Sequence, residues 1–321
     1  MTFSFRPAKR ENVSLIVALA GGTGSGKTYS ALELATGLAG GKRFCVIDTE
    51  AGRAAHYADR FEFDHGDLRP PFRPDAYAEA IAAADAAGYP VIVVDSASHE
   101  HAGEGGLLDW HDEILDRITK GNDSRREACT MLAWVEPKQS HKRFVGRLLQ
   151  CRAHLILCLR AEPKIEMARE DGKMVVREKR GPTGAHGWFP VCEKSLPYEA
   201  TTSLLLLAER PGVPIPIKLQ EQHRAFFPLD RPITRAAGGG LAGWAGGATK
   251  AEASPKSNGK TAPLLAGILT RILASTSEDS LATVVADASL LVGQAKAKAQ
   301  SAYKARRAAI RAAAREPERE G

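Results

Sequence analysis

The chain reads as an α/β protein, a mainly parallel, twisted sheet flanked by helices and followed by a helical extension at its C-terminal end. Three observations predict this. Apolar runs of strand length alternate with stretches of helical period from about Leu15 to Thr234, and such alternation builds a parallel sheet with helices on its faces. The run "PVIVVDS" (Pro90–Ser96) is apolar at successive positions, so both faces of that strand are buried. Beyond "AAGGGLAGWAGGATKAEASPKSNGKTAP" the strand-like runs cease and only helical patterns remain.

Taken in order, "SLIVALA" (Ser14–Ala20) is the first strand and "TYSALELATGLAG" the helix after it, with Gly40 and Gly41 supplying its C-cap. "RFCVIDTE" (Arg43–Glu50) is the second strand, "FEFDHG" a short third, and "PDAYAEAIAAADAAG" (Pro74–Gly88) a helix opened by proline. After the buried strand at Pro90–Ser96 comes a long polar, helical section from "GGLLDWHDEILDRI" to "KQSHKRFVGRLLQC", then the strand "HLILCLR" (His154–Arg160). "PKIEMAREDGKMVVREKR" alternates on either side of Asp171-Gly172, a hairpin signal. "TSLLLLAE" and "IPIKLQ" add strands. The Gly, Ala, Ser and Lys run from Gly238 to Pro263 reads as a flexible linker, and three helical segments follow it, with Ser277 or Ser280 as caps.

Composition narrows the class. The 321 residues, 44% of them apolar, are enough for a substantial core. No stretch reaches the roughly 18 consecutive apolar residues of a membrane span, and the N-terminal segment lacks the apolar run of a signal peptide; no membrane partner and a cytoplasmic location are expected. The five cysteines, Cys45, Cys129, Cys151, Cys158 and Cys192, form no C-x-x-C pair and read as reduced core residues. The net charge of +6 is concentrated at the end, where twelve Lys or Arg stand against seven Asp or Glu from Lys250 onward.

The stretch "VALAGGTGSGKTYSALELA" matches G-x-x-x-x-G-K-[ST] in full between a strand and a helix. Gly21, Gly22, Thr23, Gly24, Ser25 and Gly26 form a loop whose backbone N–H groups wrap phosphates, with the helix N-terminus behind them. Lys27 is placed to reach the β- and γ-phosphates, and Thr28 to bind Mg²⁺. Cofactors ATP and Mg²⁺ follow. Hydrolysis further needs an acid on the metal side and a carboxylate that positions water. Asp95, closing "VIVVD", has the first placement, and Ser96 after it removes the Asp-Glu pair of many motor ATPases. Glu50 ends the second strand; if that strand lies beside the first, its tip faces the γ-phosphate, with Asp48 on the same face to orient it or the metal's waters.

The set "GGTGSGKT", "VIDTE" and "VIVVDS" resembles the RecA-like ATPase core of P-loop NTPases. More narrowly, "VIDTEAGRAAHYAD" and "VVDSASHEHAGEGGLLDWHDEI" are similar to phage and prophage ATP-binding proteins of the AAA-family ATPases, some in a RecA-like single-strand annealing and recombination group. The resemblance spans Leu15 to Thr234. It implies Lys27 on phosphate, Thr28 on magnesium, Asp95 as the Walker B acid, Glu50 as general base and Arg160 as a γ-phosphate sensor where RecA itself has glutamine. Residues 1–237 become a RecA-like ATPase core, 238–263 a flexible linker and 264–321 a basic helical tail.

The same resemblance implies single-stranded DNA, a homo-oligomeric ring or filament, and phage recombination or replication proteins as partners, with Lys218 or Arg224 as a residue donated in trans. The hairpin after Arg160 carries Lys164, Arg169, Lys173, Arg177, Lys179 and Arg180, countered by Glu162, Glu166, Glu170, Asp171 and Glu178; a DNA-binding loop and a solvated hairpin both fit. His186 and Trp188 are available there for base stacking. Lys296, Lys304, Arg307 and Arg311 recur at helical spacing in the tail, either as a phosphate-binding face or as the solvated side of a docked helix. His99, Glu100 and His101 lie close together but lack H-E-x-x-H spacing and an evident third ligand. Two other functions share the loop: a small-molecule or nucleoside kinase, with an acceptor pocket in 103–150, and a nucleotide-dependent DNA-binding assembly module with little turnover.

Overall fold

The computed structural model describes residues 5, 9–10, 13–170, 173–180, 187–247, 261–288 and 293–313. The chain divides into two compact units, Met1–Ser254 and Pro255–Gly321.

The first unit begins with β1 (Ile16–Gly21), buried throughout, and α1 (Lys27–Ala39), which ends at Gly40 in left-handed geometry. β2 (Phe44–Asp48), β3 (Phe63–Asp67), α2 (Pro74–Ala86) and β4 (Val91–Asp95) follow. The long polar section folds as α3 (His99–Ala102), α4 (Leu107–Thr119), α5 (Arg126–Ala133) and α6 (Val135–Gln150). β5 (His154–Pro163) leads to the hairpin β6 (Ile165–Glu170) and β7 (Lys173–Glu178), then β8 (Trp188–Pro190), α7 (Leu196–Glu199), β9 (Thr202–Leu206), β10 (Pro214–Lys218), α8 (Glu221–Arg224) and α9 (Arg235–Ala245).

Eight strands form the main sheet in the order β10-β9-β1-β5-β4-β2-β3, with β8 paired to the far end of β5. β9, β1, β5, β4, β2 and β3 are mutually parallel, while β10 and β8 are antiparallel additions. The mainly parallel sheet flanked by helices is therefore as the sequence predicts. Alternation along β1 divides the core: Leu15, Val17 and Leu19 pack with α1 and α9, whereas Ile16, Ala18 and Ala20 pack with α2 and α6 through Tyr77, Ile81, Phe144 and Leu148.

Three expectations change. β2 does not lie beside β1, because β5 and β4 stand between them; Glu50 reaches the loop by a different route, described below. Arg160 is not the last residue of its strand, since β8 pairs with Ala161–Pro163 and carries β5 onward. The expected linker also starts too early. Residues 238–245 belong to α9, which packs on α1; small residues that read as flexible are there to let two backbones approach closely. The hairpin pairs Met167 with Val176 about Asp171-Gly172, which themselves lie outside the described residues, as do His186 and most of the glycine run before Trp188.

The second unit contains α10 (Thr261–Ala274), α11 (Glu278–Ala288) and α12 (Gly293–Ala313) around buried Ile268, Ile272, Leu281, Val284 and Ala299. Ser277 and Ser280 exchange backbone-to-hydroxyl bonds of 3.2 and 3.1 Å at the start of α11, a reciprocal cap. On α12, Lys304 and Arg307 are exposed, with Arg307 3.6 Å from Glu278, while Arg306 donates to the carbonyl of Ser275 at 2.9 Å. The side chains of Lys296 and Arg311 lie outside the described residues. No helix among the described residues is long and apolar enough to cross a membrane.

Candidate functional site

The C-terminal ends of β1, β2, β4 and β5 deliver their polar residues to one cleft of about 430 Å³, lined by residues 21–27 with Glu50, Arg53, Asp95 and Arg160. Such crevices at the carboxyl ends of parallel strands are where open α/β sheets bind ligands. The loop between β1 and α1 turns tightly enough to require glycine: Gly26 has φ of 80°, and a Cβ on Gly21 would sit 2.4 Å from the Ser25 hydroxyl and 2.5 Å from the carbonyl of Leu206. Ser25 closes the turn by donating to the Gly22 carbonyl at 2.8 Å, and the Lys27 ammonium donates to the same oxygen at 2.9 Å. Burial pulls the Lys27 pKa below the usual lysine value, although Asp95 and Glu50 nearby oppose this.

The family model described as AAA domain matches residues 14–181, more than half of the chain. The chain belongs to the AAA domain family. That membership makes it a P-loop nucleotide-binding protein of an ATPase class. No curated protein matches the chain.

In this AAA-domain protein the first helical turn meets the β4 carboxylate. Thr28 Oγ1 donates to Asp95 Oδ2 at 2.6 Å. Burial first, and then the charges of Glu50 and Asp48, push the Asp95 carboxyl up to about 6, against the pull of Thr28 and Lys27. A buried carboxylate with too little positive charge around it, next to a hydroxyl, is a hard-oxygen donor set of the kind Mg²⁺ takes alongside phosphates. The residues present therefore fit the ion.

Glu50 enters the cleft from the turn after β2. Thr49 straps this turn across to β4, its N–H donating to the Asp95 carbonyl at 2.9 Å and its Oγ1 accepting from the Ser96 N–H at 2.8 Å. Of the two roles expected of Asp48, its contacts fit the first, orienting Glu50. Its buried carboxylate accepts from the N–H groups of Glu50 at 2.6 Å and Ala54 at 2.9 Å, with His65 at 3.2 Å. It shapes the turn that presents Glu50. Arg160 and Arg53 hold the Glu50 carboxylate at 2.9 and 2.8 Å. Burial alone would raise the Glu50 pKa, but these two guanidinium groups outweigh it and keep the group below the usual glutamate range.

Arg53 was not legible as a site residue. Its signal is its spacing, three residues after Glu50 in "TEAGR". The other singled-out groups go elsewhere. His99 lies 2.8 Å from Thr49 Oγ1 and stacks on Phe72, while Glu100 is buried 2.8 Å from His141; no cluster of three or more His, Cys, Asp or Glu able to hold a metal ion occurs among the described residues. Lys218 donates to the carbonyls of Tyr198 and Ala200 at 2.5 and 2.7 Å, and Arg224 pairs with Glu221 at 2.9 Å, so both are engaged within their own chain.

Proposed function

We propose that the protein is a Mg²⁺-dependent ATPase with a RecA-like core, stimulated by single-stranded DNA and acting in the cytoplasm in phage-type recombination, annealing or replication. The observation that supports it is the position of Glu50, a carboxylate in the phosphate-loop cleft held by two arginines and kept ionised. An ionised carboxylate there is suited to orient a water and accept its proton. The N–H groups of residues 21–26 and the Lys27 ammonium would hold the phosphates, Thr28 would ligate Mg²⁺ and Asp95 would hold its water shell. The ion would supply neutralisation of phosphate charge. When a terminal phosphate enters, Lys27 exchanges the Gly22 carbonyl for it, and Arg160, now on Glu50, is within the same cleft to sense it.

The sheet order favours this reading over a kinase. Insertion of β5 between β1 and β4 puts Arg160 opposite Glu50, one strand from the loop; a kinase would set such a carboxylate on an acceptor hydroxyl, and among the described residues none of 103–150, where the acceptor pocket is expected, lines this cleft. A ring or filament of identical chains is the proposed working assembly.

The test is phosphate release by the parent protein and Glu50→Gln, with and without an oligothymidylate, at two salt concentrations. The expected result is stimulation that fades with salt, and a variant that keeps ATP but loses turnover by roughly two orders of magnitude or more. An unchanged rate in Glu50→Gln removes this residue from the chemistry. Phosphate transfer to a nucleoside with no effect of DNA selects the kinase.

A further inference from the structure

A second cleft, of about 740 Å³, is lined by residues of α6, β8, α7 and the stem of the β6-β7 hairpin. One of its lining residues is the buried His141, 7% exposed. One face of the ring is committed, with Nδ1 2.8 Å from Glu100 Oε1. The other nitrogen, Nε2, is buried with no hydrogen-bond partner among the described residues, its nearest carboxylate being Glu193 at 3.9 Å. His141 thus lines the cleft while being tied to Glu100 through its other nitrogen.

The walls and rim define the ligand's chemistry. Trp134 and Phe189 present half-buried rings, and Lys138, Lys164, Lys179 and Lys194 surround them. The ammonium groups of Lys164 and Lys179 lie 5.4 and 5.8 Å from the Phe189 ring centre, and that of Lys138 5.8 Å from Trp134. Three of the four cations thus stand over aromatic faces, and among the described residues the lining sets four lysines against one carboxylate, Glu193. A compact anion uses the lysines and ignores the rings. A ligand with repeated negative charge and flat, unpaired bases uses both, and only a single strand offers its base faces to a wall.

The cleft is also wired to the first one. Three consecutive residues do this: Ser98 Oγ accepts the N–H of Arg160 at 2.8 Å, His99 meets Thr49 beside Glu50 at 2.8 Å, and Glu100 holds His141. We propose that the second cleft binds single-stranded nucleic acid, bases against Trp134 and Phe189 and phosphates on the four lysines, and that the Ser98–Glu100 segment transmits its occupancy to the Glu50–Arg160 pair. This rests on the DNA-coupled reading above and assigns that reading a place in the fold.

The test uses the full chain and a fluorescein-labelled oligothymidylate, followed by anisotropy across a salt series. Replacing Lys138, Lys164, Lys179 and Lys194 together by alanine removes four exposed ammonium groups, with an unchanged melting temperature as the fold control. The slope of log affinity against log salt is expected to flatten by about three. Parent binding with no change of slope in the variant overturns the site while the DNA reading stands; a parent that binds no strand at low salt overturns both. For the connection, Ser98→Ala is expected to keep strand binding but lose the ratio of stimulated to unstimulated phosphate release. Full stimulation in Ser98→Ala overturns the route through this segment.

Discussion

Adjacent glycines in α9 are expected to respond to alanine with opposite signs. A Cβ on Gly238 would lie 2.2 Å from the carbonyl oxygen of Leu34 and 2.7 Å from the backbone nitrogen of Leu38, both in α1, and one on Gly37 would lie 2.0 Å from the carbonyl of Arg235. Neither side of the contact has a flexible side chain to move, so Gly238→Ala forces α1 and α9 apart by about 1 Å and loosens the packing of Leu34, Leu38 and Leu241 between them. Overpacking of this kind costs about 3 kcal/mol, and the better helix propensity of alanine returns about 0.5–1 kcal/mol. The net loss of about 2 kcal/mol lowers the melting temperature by roughly 4–8 °C in a unit of this size. Gly239 is exposed, and its Cβ would meet nothing nearer than the Gly37 carbonyl at 4.0 Å. Gly239→Ala is therefore expected to stabilise by about 0.5–1 kcal/mol through propensity alone. Calorimetry or urea unfolding of the three proteins decides the matter. Shifts of the same sign and size in both variants would refute the close helix contact, since a flexible linker is indifferent to which of its glycines gains a methyl.

The site yields further expectations. With Asp95 raised from 3.8 to about 6, the nucleotide-free fold by itself loses stability as pH rises from about 4 to 6, because folded Asp95 retains a proton that the unfolded chain has released. The same group must ionise to hold the metal's shell, so kcat/KM is expected to fall below about pH 6; a flat profile down to pH 5 would count against Asp95. Arg160→Ala removes one of the two cations holding Glu50 and is expected to shift the acid limb of kcat to higher pH, read from a pH series of phosphate release. Asp48→Ala strips the acceptor from the N–H groups of Glu50 and Ala54, at about 1–3 kcal/mol for each donor left unsatisfied, and is expected to lower kcat while ATP binding persists. Lys27→Ala loses a charge-assisted contact of about 3 kcal/mol, roughly a hundredfold in nucleotide affinity by a fluorescent ATP titration.

Much of the phosphate-binding half of the site is local chemistry and can be read from the chain directly. The strand, glycine loop, Lys27-Thr28 and helix of residues 16–39 are contiguous, with Gly24 and Gly26 demanded by their own positive φ and the apolar strand by its burial. The burial of "VIVVD" and the hairpin about Asp171-Gly172 are legible for the same reason. Strand order is not. Nothing in residues 43–50 states that β5 and β4 will stand between β2 and β1, because order is decided by which helices cover which face after the whole chain has collapsed. The clamp on Glu50 joins it to Arg160 across 110 positions of sequence, the second cleft draws its lysines from α6, the hairpin stem and the segment after β8, and α9 shows its purpose only against α1. Local sequence specifies what each segment can do with its own backbone; pairings between distant side chains depend on loop closure and packing that no short window contains.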